Sequence, residues 1–293
     1  MTQETDSFKD KWEQNQTLAF EETLREGSDI FTWILNRNGF ETAVELRAYL
    51  SDKKRILDAG CGNGRVTALL RQYTPPATEI VAFDLVSSEV ARKNLEAFRV
   101  SEGVSVFEKD LMTDLSDLGQ FDFIYCQEVI HHTSNPERAF RNLCRLLSIR
   151  GEIAIYVYKK KAPVREFVDD YVRAKISGLP YEEAIRFCDQ ITELGKVLSQ
   201  PGTRIRVPRV DVLEIEEGEY DLQRFIYHFF MKCFWNPNLA FPENVAINCD
   251  WYHPQTATRH TIEEVREWFM RAELEILHEH VDFYGITVRG KVA

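Results

Sequence analysis

The chain has 293 residues, 44% of them hydrophobic, and its 47 acidic and 36 basic residues give a formal net charge of -11. This length suits one well-buried core domain with additions, and the negative charge disfavours phosphate backbones and anionic membrane surfaces as partners. No stretch approaches the roughly 20 apolar residues of a membrane-spanning helix, and the opening MTQETDSFKDKWEQNQ has no hydrophobic signal core. We therefore expect a cytoplasmic protein that binds neither nucleic acid nor membrane.

The cysteines show no metal-binding or disulfide pattern. They form no Cys-x-x-Cys pair and no Cys/His cluster at metal-ligand spacing. Several lie inside apolar runs, where a reduced thiol behaves as a small core residue. We expect neither a metal site nor a disulfide framework.

The first part of the chain, residues 8–50, has helical character. Apolar residues recur on two helix faces, namely Phe31, Ile34, Leu35, Ala43, Leu46 and Leu50. We expect two or three helices, and we assign residues 1–50 to an N-terminal helical cap.

Between residues 54 and 158, short β-branched runs alternate with segments of helical character. The predicted strands are Arg55–Leu57, Ile80–Phe83, Val104–Phe107, Phe121–Tyr125 and Ile153–Val157. The clearest helix covers 136–147 and begins with Pro136, which suits a first helical turn. Strict alternation of strand and helix is typical of a doubly wound α/β sheet, so residues 51–158 are predicted to form a Rossmann-like core.

Residues 159–260 exceed what such a sheet requires. Amphipathic helices are predicted over 164–176 and 181–198. The aromatic run 225–235 is expected either to be a buried helix or to line a pocket. We predict a mostly helical, aromatic-rich insertion after the fifth strand, with a polar loop at 248–254.

Regular structure resumes after the insertion. Thr261 and Glu264 have the spacing of a capping box at the start of a helix. Strands are predicted over 274–281 and 284–291, so residues 261–293 would complete a seven-stranded sheet.

The strongest local signal is the run LDAGCGNGR at 57–65, where the first strand turns into a helix. Glycines at such a turn let the backbone approach a ligand and leave helix N-terminal amides free to bind a carboxylate or phosphate. A dinucleotide site needs a small residue three positions after the second glycine. Here that position is Arg65, which is too bulky for the role.

Three acidic residues end the first three strands. Asp84, twenty residues after Gly64, can accept both ribose hydroxyls of an adenosine, and Asp110 can accept from its adenine amino group while Leu111 packs on the ring. Asp58 either faces an ammonium group of the ligand or caps the glycine loop through its backbone amides. The carboxyl ends of parallel strands form one crevice, so we expect the three carboxylates to meet there.

This set of residues resembles the class I S-adenosylmethionine-dependent methyltransferases. Residues 58–65, Asp84, Asp110 and the run QEVIHHTSNP at 127–136 follow the order of that family, and residues 260–269 look like its late helix. The resemblance covers residues 50–158 well and is specific for the superfamily rather than for a substrate.

The resemblance implies S-adenosylmethionine as cofactor. Its methionine part would lie over Gly60–Gly64, its ribose at Asp84, its adenine near Asp110, and its sulfonium on the side of Gln127. The cofactor-binding residues predicted in this way are Asp58, Gly60, Cys61, Gly62, Asn63, Asp84, Leu85, Asp110, Leu111 and Gln127.

The acceptor side is predicted from polar and aromatic residues near the expected methyl group. His131 and His132 lie just beyond the fourth strand, where an imidazole can act as a general base. The same pair also resembles a structural feature of many family members. The predicted catalytic residues are His132, Asp250 and His253. The predicted substrate-binding residues are His131, Tyr156, His228, Trp251 and Tyr252.

Methyl transfer from a sulfonium is an in-line displacement that needs alignment and no metal. We expect an enzyme that methylates an O, N or C atom of a small molecule of the secondary-metabolite, sugar-linked or amino-acid type. The alternatives are a tRNA or protein methyltransferase, a binding protein that keeps the fold without turnover, and a nicotinamide-dependent oxidoreductase. A tRNA or protein acceptor requires a basic groove. The bulky Arg65 argues against a nicotinamide-dependent oxidoreductase.

Overall fold

The computed structural model describes residues 3–200 and 202–292. They form two units. The larger contains residues 11–159 and 258–292, and the smaller contains residues 160–257 with 3–10. The smaller unit thus nearly coincides with the predicted insertion, whereas most of the predicted N-terminal cap belongs to the larger unit.

The bounds of the regular elements follow in chain order. The strands are β1 (Arg55–Ala59), β2 (Glu79–Asp84), β3 (Val104–Glu108), β4 (Phe121–Gln127), β5 (Leu147–Tyr158), β6 (Arg204–Val207), β7 (Gly218–Asp221), β8 (Leu274–Val281) and β9 (Gly285–Val292). The helices are α1 (Gln3–Gln14), α2 (Phe20–Leu24), α3 (Asp29–Arg37), α4 (Ala43–Leu50), α5 (Arg65–Tyr73), α6 (Ser88–Ala97), α7 (Pro136–Cys144), α8 (Pro163–Ile176), α9 (Tyr181–Ser199), α10 (Leu222–Phe229), α11 (Phe241–Tyr252) and α12 (Ile262–Arg271).

The larger unit is built on one seven-stranded sheet in the order β3-β2-β1-β4-β5-β9-β8. The first five strands pair in parallel, and β9 runs antiparallel to both β5 and β8. The predicted seven-stranded, Rossmann-like sheet is therefore confirmed. Its strand order reverses between β1 and β4, and the carboxyl edge at such a reversal is where ligands bind in open α/β sheets.

Both faces of this sheet are covered because its strands are apolar on both sides. In β1, neighbouring residues point to opposite faces, so Ile56 packs with α3, α4 and α5, while Leu57 packs with α7 and α12. The two covering helices α7 and α12 begin as predicted, with Pro136 in the first turn of α7 and the Thr261 capping box at α12.

The smaller unit is organised around the fully buried carboxylate of Asp169 on α8. This carboxylate accepts hydrogen bonds from Arg165 Nε (3.1 Å), the backbone N–H of Lys232 (2.9 Å), Trp251 Nε1 (2.8 Å) and the Tyr252 hydroxyl (2.8 Å). A buried charge is tolerated only when it is paired and hydrogen-bonded, as here. Asp169 therefore ties α8 to α11 and to the segment after α10.

One expectation for the smaller unit is wrong. The predicted loop at 248–254 is for the most part the end of helix α11, because the polar residues that resemble loop formers are satisfied internally. Asn248, for example, donates from Nδ2 to Thr192 Oγ1 at 2.8 Å and to the carbonyl of Phe234 at 3.0 Å. The unit also contains an antiparallel hairpin, β6–β7, that was not predicted.

The aromatic run 225–235 is only partly helical, since α10 ends at Phe229. Across the residues that the structure describes, no helix combines the length and the apolar character needed to cross a bilayer.

Candidate functional site

The glycine loop between β1 and α5 has a backbone that favours glycine. Gly60, Gly62 and Gly64 have φ angles of 81°, 55° and 86°, a region in which side chains are strained. The N–H groups of Gly60 and Cys61 both donate to the carbonyl of Phe83, at 2.8 and 2.9 Å. These two loop amides therefore bind the end of β2.

Neighbouring segments lie close against the loop. A Cβ atom at position 60 would overlap the side chain of Val129, and one at position 62 would come within 2.7 Å of the Trp12 indole ring. The absence of side chains therefore lets the segment after β4 and the end of α1 approach the loop backbone.

Asp84 ends β2 and binds the loop directly. Its Oδ2 accepts from the N–H of Gly62 at 3.0 Å, and its Oδ1 accepts from the N–H groups of Val86 at 3.0 Å and Ser87 at 3.1 Å. A carboxylate offers about four acceptor positions, so three backbone donors leave room for about one more. Asp84 thus positions the glycine loop and keeps some capacity toward a ribose hydroxyl, a role that stays a prediction.

Asp58, at the end of β1, is buried and accepts a hydrogen bond from the Thr67 hydroxyl of α5 at 2.6 Å. Burial, with a smaller contribution from the nearby charge of Asp84, raises the pKa of this carboxyl to about 7, while the Thr67 hydrogen bond opposes the shift. A positively charged ligand group beside Asp58 would favour its ionised form. The predicted ammonium contact remains a prediction.

The raised pKa of Asp58 has a measurable consequence. The folded protein holds this proton up to about pH 7, whereas the unfolded chain loses it near its ordinary pKa of 3.8. Stability should therefore fall as pH rises from about 4 to 7, by on the order of 4 kcal/mol. We expect Asp58→Asn to flatten this dependence in denaturant unfolding followed across pH. If stability depended on pH in the variant as it does in the unaltered protein, a raised pKa at Asp58 would be contradicted.

Other predicted cofactor residues near the loop have internal roles. Asn63 is fully buried, and its Nδ2 donates to the carbonyls of Gln16 at 3.1 Å and Leu18 at 3.0 Å, so it holds the segment after α1. Burial raises the pKa of the Cys61 thiol well above its usual range. Leu85 is 42% exposed next to Asp84 and can offer an apolar contact.

The predicted adenine side lies just after β3. Asp110 Oδ1 accepts from the N–H of Met112 at 2.8 Å. Leu111 is buried, and its carbonyl accepts from Asn142 Nδ2 of α7 at 2.9 Å. The turn is thus fixed by α7, and Asp110 Oδ2 remains for a donor such as an adenine amino group.

Gln127, at the end of β4, presents a buried donor. Its Oε1 accepts from the Tyr125 hydroxyl, and that hydroxyl accepts from Asn38 Nδ2 at 3.2 Å. Gln127 Nε2 is buried, and no described residue accepts its hydrogen bonds. Buried polar groups are normally paired, so this donor fits a ligand atom at the predicted sulfonium side.

Tyr125 and Asn38 are absent from the residues predicted from sequence. Tyr125 could have been found, because it lies two residues before Gln127 and therefore on the same face of β4. Asn38 follows α3 and reaches this site only through tertiary packing.

His131 and His132 lie in a short 3₁₀ turn after β4. The ring of His131 is buried, with its centroid 3.8 Å from that of Tyr158 and 4.3 Å from that of His132. Thr258 fixes the turn by donating from its N–H at 2.9 Å and its hydroxyl at 3.0 Å to the carbonyl of His131. Tyr156, also buried, is the β5 register partner of Gln127.

The smaller unit contains the other predicted acceptor-side residues, His228, Asp250, Trp251, Tyr252 and His253. The polar groups of Trp251 and Tyr252 donate to Asp169. His253 Nε2 lies 3.0 Å from the carbonyl of Leu179. Trp251, Tyr252 and His253 thus make hydrogen bonds that stabilise the smaller unit. Their catalytic or substrate-binding roles stay predictions.

A surface groove of about 670 Å³ runs beside α7, and its lining includes Arg138, Arg141 and Arg145. The glycine loop is not part of that lining. Within 3–200 and 202–292, no three His, Cys, Asp or Glu side chains are grouped as metal ligands.

Residues 57–155 match the family model described as a methyltransferase domain. The chain is 35% identical over 101 residues to juvenile hormone acid O-methyltransferase of Bombyx mori, covering 33% of this chain and 36% of the relative. It is 26% identical over 192 residues to ubiquinone biosynthesis O-methyltransferase of Coxiella burnetii, covering 62% and 76%.

An uncharacterized Synechococcus protein is 34% identical over 125 residues, covering 41% of this chain and 30% of the relative. The chain therefore spans about a third of the length of the Synechococcus and Bombyx relatives.

Among solved structures, PKMT2 of Rickettsia typhi has the same fold, with a TM-score of 0.54 at 14% identity over 85% of this chain and 52% of that one.

The family-model match covers the residues that form the glycine loop and the carboxyl edge of β1, β2 and β4. The matches confirm the predicted family and its cofactor, S-adenosylmethionine. Residues 57–155 therefore belong to the methyltransferase-domain family.

Proposed function

We propose that this protein transfers the methyl group of S-adenosylmethionine to an oxygen atom of a small molecule. The main support for the proposal is the hydrogen bond from the N–H of Gly62 in the glycine loop to Asp84. It lies where the strand order reverses, within the matched methyltransferase domain. Two relatives with similar sequences are O-methyltransferases by name, which favours oxygen over nitrogen or carbon.

The residues around this edge fit the cofactor. The bare glycine backbone and the remaining acceptor position of Asp84 offer the cofactor a close surface and a hydrogen-bond acceptor. The cofactor supplies an electrophilic methyl carbon. The acceptor oxygen forms a bond to that carbon while the carbon–sulfur electron pair returns to sulfur, so the protein's task is alignment.

A hydroxyl acceptor must also lose a proton. His132 lies just after β4 and is partly exposed, so it is the predicted base in the larger unit. Residues 159–260 are proposed to form the acceptor lid. A tRNA acceptor is the alternative, since the chain is 34% identical over 102 residues to tRNA U34 carboxymethyltransferase of Campylobacter hominis, but the net charge of -11 opposes it.

The proposal is tested by following methyl-labelled S-adenosylmethionine into a small-molecule extract, bulk tRNA and total protein. We expect label in the small-molecule fraction. Asp84→Asn should lower kcat/KM for the cofactor about 10- to 100-fold, as expected when a charged hydrogen-bond partner is lost.

Glu79→Gln is the matched control, because Glu79 begins the same strand at its opposite end and pairs with Arg55. It should leave kcat/KM unchanged. Label in tRNA or protein alone, or full activity in Asp84→Asn, would contradict the proposal.

A further inference from the structure

Arg37, the last residue of α3, is a buried arginine with unpaired donors. Its side chain is 3% exposed, and its Nη2 pairs with Asp282 Oδ2 at 2.5 Å. Nε and Nη1 are buried as well, and the described residues provide them with no hydrogen-bond acceptor. Buried guanidinium groups are normally saturated with acceptors, so these donors indicate a missing oxygen partner.

The guanidinium is held in a fixed orientation. Its carbon lies 3.9 Å from the ring centroid of Trp33, 4.6 Å from that of Tyr156 and 5.7 Å from that of Tyr284. Rings on its faces leave only its edges for hydrogen bonds.

Asp282 occupies one of these edges and is itself fixed. Its Oδ1 accepts from the N–H groups of Tyr284 at 2.7 Å and Gly285 at 3.0 Å. The remaining edges of Arg37 are therefore presented in a geometry that is set before any ligand arrives.

This arginine belongs to the end of the sheet where the reaction is proposed. Its stacking partner Tyr156 is the register neighbour of Gln127, whose Nε2 is also a buried donor without an acceptor among the described residues. Gln127 and Tyr156 thus lie side by side on β4 and β5, and the Arg37 guanidinium of α3 stacks on the second of them.

The charges nearby favour an oxygen anion of modest size. Asp282 faces Arg37, and its Oδ2 also lies 3.5 Å from His280 Nε2. Glu128, the residue after β4, pairs with Arg65 at 3.5 Å. Each of these two acids is thus paired with a cation or imidazole. The buried side-chain atoms here that lack a partner among the described residues are three N–H donors, Arg37 Nε, Arg37 Nη1 and Gln127 Nε2, and one acceptor, Asn38 Oδ1, so donors are in excess.

We propose that the acceptor carries a carboxylate, and that Arg37 and Gln127 receive it beside the rings of Trp33 and Tyr156. A planar guanidinium is the side chain best matched to a carboxylate, and flanking rings suit an aromatic acid. This inference rests on the proposed function and narrows its acceptor to aromatic carboxylic acids.

The test uses matched probes on protein saturated with S-adenosylhomocysteine. Benzoate, phenylacetate, cinnamate and indole-3-acetate are each compared with their primary amides by calorimetry and saturation-transfer NMR. We expect acids to bind at least about tenfold more tightly than their amides, the effect of one charge-assisted hydrogen bond. The NMR signal of the Arg37 Nε–H should shift with the acids alone.

Variants separate binding from folding. Arg37→Met should remove the preference for acids, Arg37→Lys should keep part of it, and both should bind S-adenosylhomocysteine as the unaltered protein does. Arg289→Met is the matched control, because Arg289 stacks on Phe40 and Tyr49 at 5.1 and 4.6 Å, and its Nε is also buried without an acceptor among the described residues.

Amides that bind as tightly as acids, an Arg37→Met protein that keeps the preference, or binding of S-adenosylhomocysteine without binding of any acid would overturn the inference. A protein that binds no S-adenosylhomocysteine would instead contradict the proposed function itself.

Discussion

Replacing Asp169 by alanine is expected to destabilise the smaller unit by about 3–5 kcal/mol, the effect of removing one partner from a buried ion pair. The change leaves the buried Arg165 without its carboxylate and removes the acceptor of the Trp251 and Tyr252 side chains. Denaturant unfolding followed by tryptophan fluorescence measures the loss, since Trp251 lies at this centre.

Asp170→Ala is the matched control, because Asp170 is the next residue on α8 and is exposed. Surface substitutions of this kind usually change stability by about 0.5 kcal/mol or less. Asp169→Asn should be destabilised less than Asp169→Ala, since it keeps an acceptor oxygen. Equal stability of the Asp169 and Asp170 alanine variants would show that the carboxylate does not organise the unit.

The second large effect is expected at Gly60. An alanine there would adopt a φ of 81° and would also overlap Val129. Backbone strain and overpacking together should lower stability by about 2–5 kcal/mol. Because the loop carries the predicted cofactor contacts, affinity for S-adenosylmethionine should fall with it.

Gly27→Ala separates the two causes. Gly27 has a φ of 79°, nearly that of Gly60, but a Cβ atom added at this position would have no atom within 4 Å beyond its chain neighbours. This variant should lose only about 1 kcal/mol and keep its affinity for the cofactor. If the two variants behave alike in thermal unfolding and in calorimetry, close packing of Val129 on the loop has no energetic importance.

The sheet and the ends of its strands could be predicted because they depend on local patterns. Period, length and β-branched composition mark the buried strands. Asp58 and Asp84 directly follow such runs, and Asp110 follows the third run after two intervening residues. Their placement at one edge then follows from parallel pairing alone.

The contacts within the site depend on long-range packing, which no local pattern records. Asp84 binds the N–H of Gly62, and Phe83 binds those of Gly60 and Cys61, through pairings across separate strands. Arg37 reaches Tyr156 only because α3 packs on that face of the sheet.

Helix α11 includes most of a segment that was wrongly predicted to be a loop. Its polar residues resemble a loop, yet Asn244 and Asn248 are fully buried and hydrogen-bonded. The polar composition of 248–254 predicted a loop, whereas tertiary hydrogen bonds hold most of this segment in a helix.

The most direct test of the cofactor assignment is calorimetric titration of the 293-residue chain with S-adenosylmethionine and, separately, with NAD. We expect the chain to bind one S-adenosylmethionine saturably and to bind no NAD. Binding of NAD instead, or of neither ligand, would contradict the assignment of the glycine loop and Asp84 to this cofactor.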